Sequence, residues 1–185
     1  MLTQLQSQKL RHFYNILDYN KNGVLQVEDF DRVGINLCLS LDIKEETDEY
    51  TKVIQKSRRL FYQVLKDLNK TASAEITIDE WIKLFDQIIG QQDMEKLKYY
   101  IKLTTIYIFD LFDMDKNGII SLDEYVDMFT LYHIDVKYSA KSFLNLDTNH
   151  DDCISKVELF NAVTDFFISD DPDAAGNWIF GNWNT

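Results

Sequence analysis

Several residue types and segment types are scarce in this chain, and each scarcity excludes a class of protein. One Pro and six Gly are too few for a collagen-like chain or a turn-dense β fold. Two cysteines, Cys38 and Cys153, are too few for a disulfide framework. No stretch approaches the roughly 20 apolar residues that span a bilayer. The 19 basic residues are outnumbered by 31 acidic ones, which argues against nucleic-acid partners because phosphate binding depends on Lys and Arg.

The amino-terminal segment also lacks the signals of a secreted or lipid-anchored protein. Residues 1–6 carry no basic region followed by an apolar run, so they do not form a secretory signal. Position 2 is Leu2 rather than Gly, so the myristoylation signal is absent. We therefore expect a cytoplasmic monomer with reduced thiols and no membrane anchor.

The composition is that of a globular protein with an acidic surface. The chain has 185 residues, of which 45% are hydrophobic and 14% aromatic, and its net charge is −12. This length suits one compact domain or two small lobes with a shared core, and the apolar content excludes general disorder. The acidity is typical of a protein that binds cations.

Three twelve-residue windows, at residues 18–29, 113–124 and 147–158, repeat one pattern. Each begins with Asp, places oxygen-bearing side chains at its first, third and fifth positions, and has Leu or Ile at its eighth. Each ends in a carboxylate at its twelfth position. This is the pattern of the EF-hand calcium loop, and we call these windows loops I, III and IV.

The spacing matches the coordination chemistry of Ca²⁺, a hard cation that takes 6–8 oxygen ligands at about 2.3–2.6 Å. A chain that wraps the ion presents alternate side chains, then a backbone carbonyl, then a carboxylate from the following helix. The predicted ligands are Asp18, Asn20, Asn22, the carbonyl of Val24 and Asp29 in loop I; Asp113, Asp115, Asn117, the carbonyl of Ile119 and Glu124 in loop III; and Asp147, Asn149, Asp151, the carbonyl of Cys153 and Glu158 in loop IV.

A fourth, weaker window lies at residues 69–80, which we call loop II. Like the other loops it lies between segments whose apolar residues recur at helical spacing. Ile76 holds its eighth position and Glu80 its twelfth, but its other candidate ligands are neutral and Ala74 replaces the usual Gly. We predict that loop II binds no calcium and pairs structurally with loop I, Ile76 opposite Leu25.

The three active loops are expected to differ. Loop III matches the pattern fully and should be the strongest site. Loop IV has Asp152 where Gly118 stands in loop III, and a non-Gly residue adopts a positive φ less readily, so it should bind more weakly. Loop I ends in Asp29, which is one methylene shorter than Glu. A six-ligand site that also takes Mg²⁺ is predicted there.

The loop spacing, the degenerate loop II, Asp29 and the aromatic segments at residues 166–172 and 176–181 resemble those of invertebrate sarcoplasmic calcium-binding proteins and calexcitin. The resemblance covers essentially the whole chain. It implies an all-α fold of four EF-hands in two packed lobes, with short antiparallel β ladders between paired loops. The expected units are an amino-terminal pair at 1–90, a carboxyl-terminal pair at 91–169 and a tail at 170–185 that packs back on the core.

Three functions stay open at this point. The leading one is a calcium buffer or calcium-responsive signalling protein with three sites. The insect members of the group that this chain resembles include juvenile hormone diol kinases. The second possible function is therefore a kinase of this type, which would bind a nucleotide and a small apolar ligand. It has no identifiable catalytic residue, and Gly176 and Gly181 are not followed by the Lys of a phosphate-binding loop. The third is a sensor with a groove for a protein target. We expect Trp178, Ile179, Phe180 and Trp183 of the tail to fill such a groove.

Overall fold

The computed structural model describes residues 1–183, and residues 184 and 185 of the predicted tail lie outside that range. Within it the chain forms eight α-helices: α1 (Gln4–Leu17), α2 (Val27–Ser40), α3 (Asp48–Asp67), α4 (Ile78–Gly90), α5 (Met94–Phe112), α6 (Leu122–Leu131), α7 (Ser139–Leu146) and α8 (Lys156–Ile168). Four short strands lie between helices: β1 (Val24–Leu25), β2 (Ile76–Thr77), β3 (Ile119–Ser121) and β4 (Cys153–Ser155). Short 3-10 helices occupy Val136–Tyr138 and Ala175–Trp178.

Each loop joins the helix that follows it through a capping box, in which two residues three apart satisfy each other's backbone N–H groups. The ninth loop residue is the N-cap and the twelfth is the third residue of the helix. The pairs are Gln26 with Asp29, Thr77 with Glu80, Ser121 with Glu124, and Ser155 with Glu158. The side chain of the twelfth loop residue therefore also caps the start of its helix, which fixes its carboxylate beside the loop.

The loops pair back to back through the short strands. β1 and β2 are antiparallel with Leu25 opposite Ile76, and β3 and β4 are antiparallel with Ile120 opposite Ile154. All four of these eighth-position side chains are buried. The prediction of an all-α EF-hand fold with antiparallel ladders between loops is confirmed, including the pairing of Leu25 with Ile76.

One apolar core connects the two EF-hand pairs. Helix α1 packs against α4 and α8, and α5 packs against α3, α4 and α8. At the junction, the ring of Phe13 lies 5.7 Å from that of Trp81 and 5.8 Å from that of Phe166. The ring of Phe85 stacks 5.4 Å from that of Phe167. Burial of each large side chain contributes about 1.5–3 kcal/mol, so these rings hold the halves together.

The segment after α8 returns to this core. The ring of Phe180 stacks on that of Phe13 with centroids 4.4 Å apart, and the hydroxyl of Tyr125 donates to the carbonyl of Ile179 at 2.9 Å. At Gly176 the backbone passes so close to α8 that an added Cβ would lie 2.1 Å from the carbonyl oxygen of Ala162. Tail residues 175–180 thus pack against the helices. None of the helices in the described range has the length and apolar character needed to cross a membrane.

Candidate calcium-binding loops

The first Asp of loops I, III and IV is turned inward by the backbone of the sixth residue. One carboxylate oxygen accepts that residue's N–H, which orients the side chain across the loop. The donor–acceptor distances are 2.9 Å from Gly23 to Asp18, 3.1 Å from Gly118 to Asp113 and 3.0 Å from Asp152 to Asp147. The carboxylates of loops I and IV are almost fully buried, so their charge faces the loop interior.

The sixth residue makes this turn by adopting a positive φ. The values are +89° at Gly23, +88° at Gly118 and +61° at Asp152. Asp152 therefore takes the left-handed conformation that Gly adopts without cost. Ala74, the sixth residue of loop II, is not among the described residues with positive φ. The backbone of loop II therefore follows a different path at this position.

The third and fifth side chains form a chain of local turns. The oxygen of the third residue accepts the N–H of the fifth, and that of the fifth accepts the N–H of the seventh. These contacts measure 2.9–3.2 Å and involve Asn20 and Asn22, Asp115 and Asn117, and Asn149 and Asp151. The seventh residues, Val24, Ile119 and Cys153, begin their strands. Ligation by their carbonyls stays a prediction.

The twelfth carboxylate spans the loop in all three cases and accepts backbone N–H groups near the start of the loop. Glu124 accepts the N–H of Met114 at 2.9 Å on the far side of loop III, and Glu158 accepts that of Thr148 at 2.9 Å in loop IV. The shorter Asp29 reaches the N–H of Asn20 at 3.3 Å. The contact of Glu158 with Asn149, at the same loop position as Asn20, also measures 3.3 Å. The structure therefore places every side chain predicted as a ligand around its own loop.

Loop III concentrates negative charge most tightly. Three carboxylate oxygens, one from each of Asp113, Asp115 and Glu124, lie within 4.8 Å of one another. Oδ1 of Asp113 is buried and has no hydrogen-bond partner. An unpartnered buried carboxylate oxygen is costly, and like charges this close repel. A divalent cation would satisfy the oxygen and neutralise the repulsion, so the residues present fit Ca²⁺.

In loops I and IV, burial and hydrogen bonds shift the pKa of individual side chains. Burial raises the pKa of Asp29, and the negative charge of Asp18 raises it further. The hydrogen bonds that Asp29 accepts from backbone N–H groups partly oppose this rise. Burial also raises the pKa of Glu158, but hydrogen bonds from Ser155 and its neighbours outweigh that effect and the net shift is downward. The hydrogen bond to Asp151 raises the pKa of the Cys153 thiol to about 11. Cys153 is therefore protonated at neutral pH.

Two features of the sequence acquire a structural explanation. Gly176 and Gly181, which mimic the spacing of a phosphate-binding loop, serve packing: each lies against another segment, Ala162 and Ile134 respectively. Sequence reasoning missed Lys70, whose Nζ lies 2.5 Å from Oε1 of Glu80 in loop II. A basic residue one place after the first loop position was the available signal.

No protein-family model matches the sequence. Calerythrin from Saccharopolyspora erythraea is 22% identical over 166 residues, which cover 90% of this chain and 94% of calerythrin. The calcium-loaded apo form of coelenterazine-binding protein from Renilla muelleri is similar with a TM-score of 0.74 at 20% identity, over 98% of this chain and 99% of that one. A sarcoplasmic calcium-binding protein from amphioxus gives a TM-score of 0.74 at 16% identity, over 98% and 99% of the two chains.

At such identities the structural likeness shows a shared fold, and the likeness to calerythrin extends along nearly the whole sequence. The loops add a repeated arrangement of oxygens that suits calcium. The chain therefore has the four-EF-hand fold of these calcium-binding proteins, and its sequence is similar to that of calerythrin.

Proposed function

We propose that this chain is an intracellular calcium buffer that binds three ions, one each in loops I, III and IV, through the ligands predicted above. The observation that carries the proposal is the inward arrangement of carboxylates in all three loops, with the orphaned oxygen of Asp113 in loop III. Each loop already holds its side chains through backbone N–H groups. Little reorganisation is then needed when the ion enters.

Loop I is proposed to accept Mg²⁺ as well as Ca²⁺. Mg²⁺ requires six oxygens in near-octahedral geometry at about 2.0–2.1 Å, whereas Ca²⁺ accommodates a bidentate carboxylate. Asp29 is one methylene shorter than Glu124 and Glu158, and it accepts the N–H of Asn20 at 3.3 Å. A carboxylate with shorter reach favours monodentate ligation and the smaller ligand count.

A buffer role is favoured over a target-binding sensor because the tail occupies apolar surface that a sensor would offer. Sensors open a hydrophobic groove for an amphipathic helix when calcium binds. Here Ile179 and Phe180 are buried, and Phe180 stacks on Phe13 and lies edge-on to Phe166. A target helix would have to displace these side chains.

Calorimetric titration of Ca²⁺ into chelator-treated protein tests the stoichiometry. Wild type should bind three ions, and Glu124→Gln and Glu158→Gln should each lose one high-affinity site because a carboxylate ligand is removed. Glu80→Gln is the matched control at the same position of loop II and should leave three. Unchanged binding in the Glu124 and Glu158 variants would contradict the proposal.

Two further titrations separate the buffer from the alternatives. Deletion of residues 173–185 should increase calcium-dependent binding of a hydrophobic dye, because the tail no longer covers Phe13. Absence of any gain would argue against the filled groove.

ATP titrated into calcium-loaded protein with Mg²⁺ present should give no heat, whereas micromolar binding would favour the nucleotide-dependent enzyme.

A further inference from the structure

The ammonium group of Lys70 lies among the positions from which the other loops would ligate a metal. Lys70 is the second residue of loop II. Its Nζ donates to the backbone carbonyl of Glu75 at 2.7 Å and lies 2.5 Å from Oε1 of Glu80. Glu75 is the seventh loop residue and Glu80 the twelfth, and these are the positions that supply a carbonyl and a carboxylate to calcium.

We infer that Lys70 is the built-in cation of loop II and takes the place of the metal there. Its single positive charge neutralises Glu80, the one carboxylate of this loop at a position whose side chain ligates the metal in the EF-hand pattern. A covalently attached cation cannot dissociate, so loop II stays closed whether or not calcium is present. The inference deepens the proposed function, since it rests on loops I, III and IV being the sites that bind metal.

The hydrogen bonds of Glu80 support this assignment because they repeat those of Glu124 in loop III. Oε2 of Glu80 accepts the N–H of Thr77 at 2.9 Å, just as Oε2 of Glu124 accepts that of Ser121 at 2.8 Å. Oε1 of Glu124 reaches across to the second loop residue, Met114, and Oε1 of Glu80 also reaches the second residue, through the side chain of Lys70. The hydrogen bond from Lys70 lowers the pKa of Glu80, which keeps the pair ionised.

A permanently closed loop II would prepare loop I for its ion. The two loops are joined by the β1–β2 ladder, and Nε2 of Gln26 donates to Oε1 of Glu75 at 2.6 Å. The hydroxyl of Tyr14 contacts the carbonyls of both Gly23 and Ile76, at 3.0 and 2.8 Å. Loop I thus has an ordered partner before metal arrives, whereas loops III and IV must order each other. Loop I should bind without cooperativity and loops III and IV with it.

Substitution Lys70→Met tests the inference, and Lys66→Met is the matched control, because Lys66 is an exposed lysine in the last turn of α3. Amide hydrogen exchange is measured in chelator. In the Lys70 variant the protection of Ile76 and Thr77 should fall about tenfold, the loss expected for a charge-assisted hydrogen bond. The Lys66 variant should retain wild-type protection. Equal protection in the two variants would overturn the inference.

A calcium titration of the same variants provides the second readout. Lys70→Met should lower the affinity of loop I several-fold and leave loops III and IV unchanged, because only loop I shares a ladder with loop II. An unchanged loop I would overturn the proposed coupling. Since exchange is measured without calcium, failure of the three-site proposal and failure of the Lys70 inference give different results.

The pairing between Lys70 and Glu80 is tested by a double-mutant cycle with Glu80→Gln, which keeps the capping geometry but removes the charge. If Lys70 acts as the counter-cation, its substitution in the Glu80→Gln background should reduce protection much less than in wild type. Additive losses would contradict the pairing.

Discussion

At the scale of the residue, backbone conformation at the sixth loop position sets how easily each loop closes. Gly23 and Gly118 have φ near +90°, and a Cβ added at either would meet no atom within 4 Å. Any cost of substitution there is therefore conformational rather than steric. Asp152 already adopts φ of +61° in loop IV, so loop IV carries that cost in the native sequence.

Gly118→Ala should weaken calcium binding at loop III by about tenfold, because the left-handed conformation costs an L-residue about 1–2 kcal/mol. Gly118→Asn should lose less, since Asn adopts positive φ more readily. Asp152→Gly should strengthen loop IV by relieving the same strain. Calorimetry on the three variants measures the effects, and equal affinities for Gly118→Ala and Gly118→Asn would contradict the conformational explanation.

Asp29→Glu should shift loop I toward Ca²⁺ and away from Mg²⁺, because the added methylene lets the carboxylate approach the ion with both oxygens. The expected result is an apparent calcium affinity that Mg²⁺ no longer reduces. Titrations with and without millimolar Mg²⁺ measure it. Asp123→Glu, the same change at an exposed position of loop III, is the control, and equal Mg²⁺ sensitivity in wild type and Asp29→Glu would contradict the selectivity proposed for loop I.

At the scale of the element, each twelfth-position carboxylate serves both its loop and its exit helix. In loop IV, Oε1 of Glu158 accepts from Thr148 while Oε2 accepts from Ser155. Movement of this carboxylate toward an ion therefore acts on the first turn of α8. Because α8 also carries the core ring of Phe166, the loop and the interior are mechanically connected through one helix.

The contact between the tail and α8 is a second point at which elements depend on each other. Gly176→Ala should displace the tail, because the added Cβ would lie 2.1 Å from the backbone oxygen of Ala162, which cannot rotate away. We expect faster proteolysis within residues 170–183 and greater dye binding than in wild type. Ala174→Gly, two residues earlier, should leave both unchanged or nearly so. If Gly176→Ala behaves like the control, the tail does not depend on this close approach.

At the scale of the whole molecule, what could be predicted from sequence is what is local. The ligands of a loop lie within twelve consecutive residues, so their pattern identified the loops, and helical spacing identified the flanking helices. Lys70 was missed because the second loop position supplies no ligand in the pattern. Lys9 was missed because its partners, Asp165, Ser169 and Asn177, are more than 150 residues away along the chain.

Lys9 connects the first helix, the last helix and the tail. It is fully buried in α1, and its Nζ donates to the carbonyls of Asp165 and Ser169 at 3.1 and 2.9 Å and to Oδ1 of Asn177 at 2.8 Å. All three acceptors are neutral. Burial lowers the pKa of Lys9 to about 8, although the charges of Asp165 and Asp170 oppose the shift.

Lys9→Met should therefore lower the melting temperature at pH 7, because three buried acceptors lose their donor. Lys9 should also give wild type a distinctive pH dependence. Between pH 8 and the ordinary lysine pKa of 10.5, the unfolded chain holds a proton on Lys9 that the folded chain has released, so this group makes wild type more stable as pH rises.

The melting temperature of Lys9→Met lacks that contribution, so the difference between wild type and variant should widen from pH 8 to 10. Thermal unfolding in chelator at each pH measures the difference, with Lys102→Met, an exposed lysine of α5, as the control for general charge effects. A gap that stays constant would mean that Lys9 titrates alike in the folded and unfolded chains. A gap that widens would show that burial of the charged ammonium costs free energy in the folded chain. The three hydrogen bonds from Lys9 to α8 and the tail must then stabilise the fold by more than this cost for α1, α8 and the tail to stay packed together.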